Sequence, residues 1–377
     1  MAEGAGPRPG VAFERLGTAS SQVFGRATLD VPATLNALTL EMIDALDAQL
    51  RSWASDPGVG GVIIDADSEK AFCAGGDVVA LYRSMRSADG QVPLAASSFF
   101  ENEYRLDHRI HTYPKPVLCW GHGIVMGGGV GLFAGASHRV VTARTRFAMP
   151  EITIGLYPEV GGSWILSRLR ARVGLFLALT AAPLNAADLR EAGLADYALR
   201  HEDREAAYRS IAETRWSGEA DVDHARLSHL LDGLPAPADL APSNLRTHGG
   251  LIDRVMGNDT LADIAGRLPA LVEQADPWLA AAGRAFVAGS PTSAALCVEM
   301  QRRAKHLSLA DAFRLEYQAS VGCAMGHDFP EGVRALLVDK DRSPRWSPAD
   351  LASVRAADVD AIIQPRFVGE HPLADLR

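Results

Sequence analysis

Two glutamates eight residues apart, Glu151 and Glu159, flank a segment bent by glycine and proline: Pro150-Glu151, then Gly155-Leu156-Tyr157-Pro158-Glu159-Val160-Gly161-Gly162. If the chain folds back there, both carboxylates can face one pocket. Paired carboxylates in different environments can divide acid, base and nucleophile roles. The plainer alternatives are a helix N-terminal charge for Glu159 and a solvated strand end for Glu151. Two glycine pieces precede them. Cys73-Ala74-Gly75-Gly76-Asp77 allows a tight bend whose backbone N–H groups point into a cavity, or is an ordinary loop before a helix. Met126-Gly127-Gly128-Gly129 follows a strand and opens a helix. The first N–H groups of a helix lack intrahelical partners and carry partial positive charge, which suits an anion or a carbonyl oxygen becoming one. Close helix–strand packing asks for glycine equally.

Other candidates carry less. Glu103, in Phe99-Phe100-Glu101-Asn102-Glu103-Tyr104, sits on an amphipathic helix, where exposure is the default. Cys73 has no histidine near it in sequence and reads as a small packing residue, and Cys119 reads as core. His108, His111, His122 and His138 show no H-E-x-x-H spacing, so no metal site is expected. There is no G-x-S-x-G elbow. Gly129–Ala134 matches G-x-G-x-x-A, with Glu151 at a tempting distance. In a dinucleotide fold the acidic residue ends the very next strand. Here that strand, Arg139–Ala143, ends in Arg144.

The elements that must position these groups alternate through the first 200 residues. Gln22–Leu29, Gly61–Asp65, Pro116–Trp120 and Arg139–Ala143 read as strands. Leu40–Trp53, with Thr39 as N-cap, and Phe99–His111 read as helices, and an apolar helix follows Gly131 to Ala136. Ala71–Asp77 reads as a loop, Ile152–Gly162 as a strand running into a turn, and Ser163–Leu169 as the start of the next helix. This rhythm suits an α/β layered or spiral domain. Beyond about residue 200, helical periodicity dominates: Arg204–Trp216, Asp223–Leu231, Ser243–Val255, Leu271–Ala288 and Leu309–Cys323. The expected organisation is an α/β core over residues 11–200 and a helical C-terminal region over residues 201–377 packing on it.

Of 377 residues, 47% are hydrophobic and 22% charged, so a large core is expected and long disorder is not. A net charge of −9 argues against nucleic acid as a partner. The four cysteines, Cys73, Cys119, Cys297 and Cys323, lie far apart, which fits a reducing, cytoplasmic setting. The short Gly/Pro-rich N-terminus lacks the apolar core of a signal peptide, and no stretch is long and apolar enough for a membrane span.

Taken together, these pieces resemble the enoyl-CoA hydratase/isomerase (crotonase) superfamily. The AFCAGGD loop, the H-G-x-x-M-G-G-G turn and the later P-E segment come in that family's order and spacing. The likeness is closer to one branch, the 3-hydroxyisobutyryl-CoA hydrolases. FFENEY, GHGIVMGGGVGL, FAMPEITIGLYPEVGG, FLALTAAPLNAADLREAGLADYAL and the distal stretch Met325–Leu351 carry it, from about Val11 to Leu351. The resemblance implies a crotonase-type ββα spiral core and hydrolysis of a short 3-hydroxyacyl-CoA thioester within valine breakdown. CoA then enters as part of the substrate, with no separate cofactor and no metal.

The resemblance also implies roles. The N–H groups of Gly76 and Gly128 form the oxyanion hole. Glu151 is the main catalytic carboxylate, activating water or attacking the carbonyl to give a transient anhydride. Glu159 binds the 3-hydroxyl and assists proton transfer, and Glu103 and Gly128 line the substrate site. Lys70 and Arg26 are candidate contacts to the phosphate or adenine side of CoA, and serve equally well as solvated surface charges. Two departures matter. Where hydratases of the superfamily carry a catalytic Glu after the glycine triplet, this chain has Gly131; and Glu159 stands where the hydrolase branch usually has Asp. The first argues against a hydratase and leaves an enoyl-CoA isomerase using Glu151 alone as the main competitor. A non-catalytic acyl-CoA-binding protein and a dinucleotide oxidoreductase are further readings. The oligomeric state stays open.

Overall fold

The computed structural model describes residues 10–257 and 259–377. The expectation about a signal peptide falls almost wholly outside the described residues. Two compact units are present, each assembled from separate stretches of chain: Met1–Gly76, Arg109–Phe147 and Leu184–Ser243 in the first, Asp77–His108, Ala148–Pro183 and Asn244–Arg377 in the second.

The first unit is built on a six-stranded sheet of β1 (Val11–Gly17), β2 (Val23–Leu29), β3 (Val59–Ala66), β5 (Val117–Gly121), β7 (His138–Val141) and β9 (Tyr197–Ala198), in that order. Only the β1–β2 pair is antiparallel. The central strands β3 and β5 are mostly apolar because both faces are covered, and every residue of each is buried. Two helices beyond residue 200, Arg204–Glu213 and Ala220–Asp232, cover one face. Tyr208, Ile211, Trp216, Leu227 and Leu231 pack on Phe24, Ile63, Leu118, Trp120 and Val140. The expected Leu40–Ser55 helix is present, with Thr39 Oγ1 accepting the Met42 N–H.

A smaller sheet orders β4 (Ala71–Cys73), β6 (Ile124–Met126) and β8 (Arg146–Ala148). The AFC segment, expected as loop, is therefore strand β4. Three buried residues leave no alternation from which to read it.

The second unit is mainly helical. Ile152–Gly162, expected as strand into turn, instead carries a 3-10 turn, Glu151–Ile154, closed by Gly155 at φ 74°. The expected Leu271–Ala288 helix is broken: a 3-10 segment Leu268–Glu273 ends, and the helix restarts at Pro277 under an Asp276 cap. Proline at the first helical position lacks the donor a continuing helix needs. After Ala198 every regular element among the described residues is helical, and none is long and apolar enough to cross a membrane.

Candidate active site

The two glycine pieces meet in the first unit. Strands β4 and β6 run parallel and side by side, and each delivers its loop at the same end. The Gly75 carbonyl accepts from Leu38 N–H at 2.8 Å, and Ala74 N–H donates to Leu35 at 3.0 Å, so the bend is held on both sides. Gly75 lies at φ 116° and Gly127 at φ 49°, conformations that favour glycine. A Cβ on Gly75 would lie 3.8 Å from the Gly128 nitrogen. Gly128 opens the Gly128–Ala134 helix, so its N–H has no intrahelical acceptor. Gly129 packs directly under Cys73: a Cβ there would stand 2.5 Å from the Cys73 carbonyl oxygen. The loop and the helix start thus approach as only glycine permits, with Gly75 beside Gly128. The cysteine thiols are all buried and in no disulfide.

The carboxylates gather in the second unit. Glu103, Glu151 and Glu159 are none more than 5% exposed, and two further acids that sequence reasoning missed, Asp107 and Glu316, are fully buried. Glu103 and Asp107 stand one turn apart on the Leu94–His111 helix, a spacing that puts both on one face. Exposure of Glu103, the default from its amphipathic helix, is therefore wrong. Glu151 opens the 3-10 turn, and neither of its oxygens has a hydrogen-bond partner in the protein. The same holds for both oxygens of Asp107 and for one each of Glu103 and Glu159.

Burial pushes the Glu151 carboxyl well above the usual carboxylate range, and the nearby Glu159 adds to this. Glu103 is raised by burial and then by Glu159, Asp107 and Glu151; Asp107 by burial, Glu159 and Glu316. Glu159 is pushed up to about 8 by burial, with Glu316 adding and the Tyr104 hydroxyl and Val160 N–H opposing. Glu159 therefore exchanges its proton near neutral pH, as general acid–base chemistry requires. Glu159 is followed by Val160 at φ 52° and Gly161 at φ 83°. A β-branched residue in the left-handed region costs on the order of 1–3 kcal/mol and persists only where its surroundings hold it.

Other expected features fall elsewhere. Arg26 pairs with buried Asp65, at 2.7 Å, and lies over the Tyr208 ring; Lys70 is exposed. His122 pairs with the Ser68 carbonyl and His138 with His224 and Ser228. Among the described residues no group of His, Cys, Asp or Glu is arranged to hold a metal ion. Glu151 follows β8 rather than ending the strand after the Gly128–Ala134 helix, so the dinucleotide arrangement fails. Asp107 was findable as the next turn of the Glu103 helix. Glu316 had no local signal.

A family model described as enoyl-CoA hydratase/isomerase matches residues 24–363. The chain belongs to the enoyl-CoA hydratase/isomerase family. Within that family it is similar to the mitochondrial 3-hydroxyisobutyryl-CoA hydrolase of Danio rerio, 38% identical over 353 residues, covering 93% of this chain and 88% of the relative. The corresponding Homo sapiens enzyme is 34% identical, covering 89% and 85%. Among solved structures, an enoyl-CoA hydratase from Rhodobacter sphaeroides 2.4.1 superposes with a TM-score of 0.80 at 36% identity, over 94% of this chain and 97% of that one. A carnitinyl-CoA dehydratase from Mycobacterium thermoresistibile gives 0.80 and 36%, over 94% and 96%. The crotonase fold expected from the glycine and P-E motifs is the fold of this family member.

Proposed function

We propose that this protein hydrolyses 3-hydroxyisobutyryl-CoA to 3-hydroxyisobutyrate and free CoA, as a step of valine breakdown. The observation that carries the reading is Glu151: a buried carboxyl with no protein partner on either oxygen, in the family segment that supplies the reacting acid. An unpaired buried acid is costly, and the substrate and its water are what repay that cost.

In this reading the N–H groups of Gly76 and Gly128 receive the thioester oxygen. Each donor stabilises charge that appears only in the transition state, worth about 10²–10³ in rate. Glu151 then deprotonates the attacking water, or attacks the carbonyl itself to give an anhydride that water opens. Glu159, with its raised pKa and one free oxygen, binds the 3-hydroxyl and hands on a proton to the leaving thiolate. Glu103 lines the acyl end of the site. CoA arrives as part of the substrate, and the chemistry asks for no further cofactor.

The two structural relatives described as a hydratase and a dehydratase raise a second reading, addition of water to a double bond. Gly131 argues against it, because the position after the glycine triplet supplies no second carboxylate. The test is release of free thiol from 3-hydroxyisobutyryl-CoA, followed with a thiol-reactive dye. Wild type releases CoA and Glu151→Ala does not. If no thiol appears while the protein still binds CoA esters, the hydrolase reading falls, and double-bond migration in 3-enoyl-CoA becomes the reaction to assay. The cytoplasm is the proposed compartment, on the strength of four free buried thiols, although the curated relatives are named as mitochondrial; cell fractionation decides this.

A further inference from the structure

We infer that Glu316 is a positioning residue: from the Leu309–Met325 helix it fixes the turn that carries Glu159, and so sets the preference for a 3-hydroxylated acyl chain. The inference rests on the role proposed above for Glu159.

Both oxygens of the Glu316 carboxylate are spent on this turn. Oε2 accepts the Gly161 N–H at 2.7 Å and Oε1 the Ser163 N–H at 2.9 Å. The side chain is fully buried, and the two N–H groups favour its ionised form against that burial. The turn between is the one that needs holding. Val160 and Gly161 are both left-handed, and Gly162 N–H returns to the Glu159 carbonyl at 2.7 Å. Phe313, one turn before Glu316, closes over Gly161. The backbone of the Glu316 helix is tied in as well. Its Glu316 carbonyl accepts the Tyr157 hydroxyl at 2.8 Å, and Ser320 bridges the hydroxyls of Tyr157 (3.0 Å) and Tyr104 (2.7 Å). Tyr104 in turn faces Glu159. The residues on either side of Glu159 are therefore fastened to a single helix.

The turn bearing Glu151 shows the same dependence. A Cβ on Gly155 would collide with the Asp328 carbonyl, one on Gly332 would collide with Ile154, and the Ile152 carbonyl accepts Ser290 N–H at 3.0 Å. What distinguishes Glu316 is that it acts through a side chain, so a single substitution can loosen the Glu159 turn alone. A buried carboxyl held in place penalises an acyl group that lacks the hydroxyl, and a loosened one does not.

Glu316→Gln keeps the volume but offers one acceptor, so either the Gly161 or the Ser163 N–H then faces an NH₂ donor. The readout is the ratio of kcat/KM for 3-hydroxyisobutyryl-CoA over isobutyryl-CoA, which is independent of the fraction of folded enzyme. Glu159→Gln is measured alongside. The expected result is a fall in this ratio of about tenfold or more in both variants, with KM little changed in Glu316→Gln. If Glu159→Gln collapses the ratio and Glu316→Gln leaves it intact, the positioning role is wrong and the Glu159 reading stands. If Glu159→Gln leaves it intact, the Glu159 reading and this inference fall together. Should Glu316→Gln not fold, Glu316→Asp keeps the charge and both acceptors but draws them back from the Gly161 and Ser163 N–H groups by about one bond length; an unchanged ratio there overturns the inference, and a lowered one supports it.

Discussion

Replacing Gly129 by alanine disturbs the two N–H donors without altering either one. The added methyl would stand 2.5 Å from the Cys73 carbonyl oxygen, 2.8 Å from its Cβ and 3.1 Å from its carbonyl carbon. Two of these three atoms are backbone, so no rotamer change relieves the clash. Ordinary contact begins at 3.4 Å, so the Cys73–Gly76 loop and the start of the Gly128–Ala134 helix must part by about 3.4 − 2.5 = 0.9 Å. A misplacement on the order of 1 Å costs about 10²-fold in rate, or roughly 2.7 kcal/mol of barrier. That is also about what losing one oxyanion donor costs. The assay is thiol release from 3-hydroxyisobutyryl-CoA at saturating substrate. The expected result is kcat reduced about a hundredfold, with a smaller change in KM, because the donors act on charge that develops after binding. Circular dichroism and thermal melting establish that the variant is folded. A folded Gly129→Ala enzyme with kcat within about threefold of wild type would refute the argument that this glycine sets the donor geometry.

Activity and stability should respond to pH in opposite directions. Glu159 and Glu316 titrate near 8 and 7 in the folded protein, raised by burial from an ordinary 4.5. The folded state therefore holds protons that the unfolded chain releases. Stability is full below about pH 4.5 and is lost as pH rises through 7 and 8, at roughly 1.4 kcal/mol per unit for each group in that window. Melting temperature should fall between pH 5.5 and 8, and a flat or rising trend contradicts the assignment. Conversely, below about pH 8, where Glu159 keeps its proton, kcat/KM should climb with pH, because Glu151 works as a carboxylate and its pKa is raised; an acid limb at pH 4–5 would exclude Glu151 as the ionising group. Glu159→Asp draws the carboxyl back by about one bond length on a backbone that Glu316 holds still, and should slow hydrolysis of 3-hydroxyisobutyryl-CoA by about 10–100-fold. An unchanged rate would mean that side-chain length does not set the acyl preference. Asp107→Asn removes a buried, unpartnered group whose charged form is penalised. It should melt higher than wild type at pH 9 and by a smaller margin at pH 5, closer to the ordinary carboxylate range; an equal difference at both pH values would show that ionisation is not the cause.

The pieces of the candidate site were legible in short motifs because the requirements there are local. A bend needing positive φ at Gly75, a helix start at Gly128 and a carboxyl after Pro150 can each be satisfied within a few residues, so residue type and spacing reveal them. The same holds for the Leu40–Ser55 helix, whose cap and apolar stripe lie in one stretch of chain. Strand β4 and the 3-10 turn at Glu151 were misread, since three or four residues carry no measurable period and take their form from neighbours. Motif order alone marked the distal stretch as belonging to the family, but not what the helices around it do. The burial of Glu103, the second acid at Asp107 and the clamp from Glu316 depend on contacts between distant parts of the chain, and Gly161 and Glu316 are 155 positions apart. A carboxylate reads as solvated surface in any sequence window. Only the packing of other segments around it removes water, raises its pKa and leaves its oxygens for a substrate. The sequence by itself therefore determined which groups are present and in what order, and the tertiary structure decided which acids are dry, which are already spoken for, and what holds them in place.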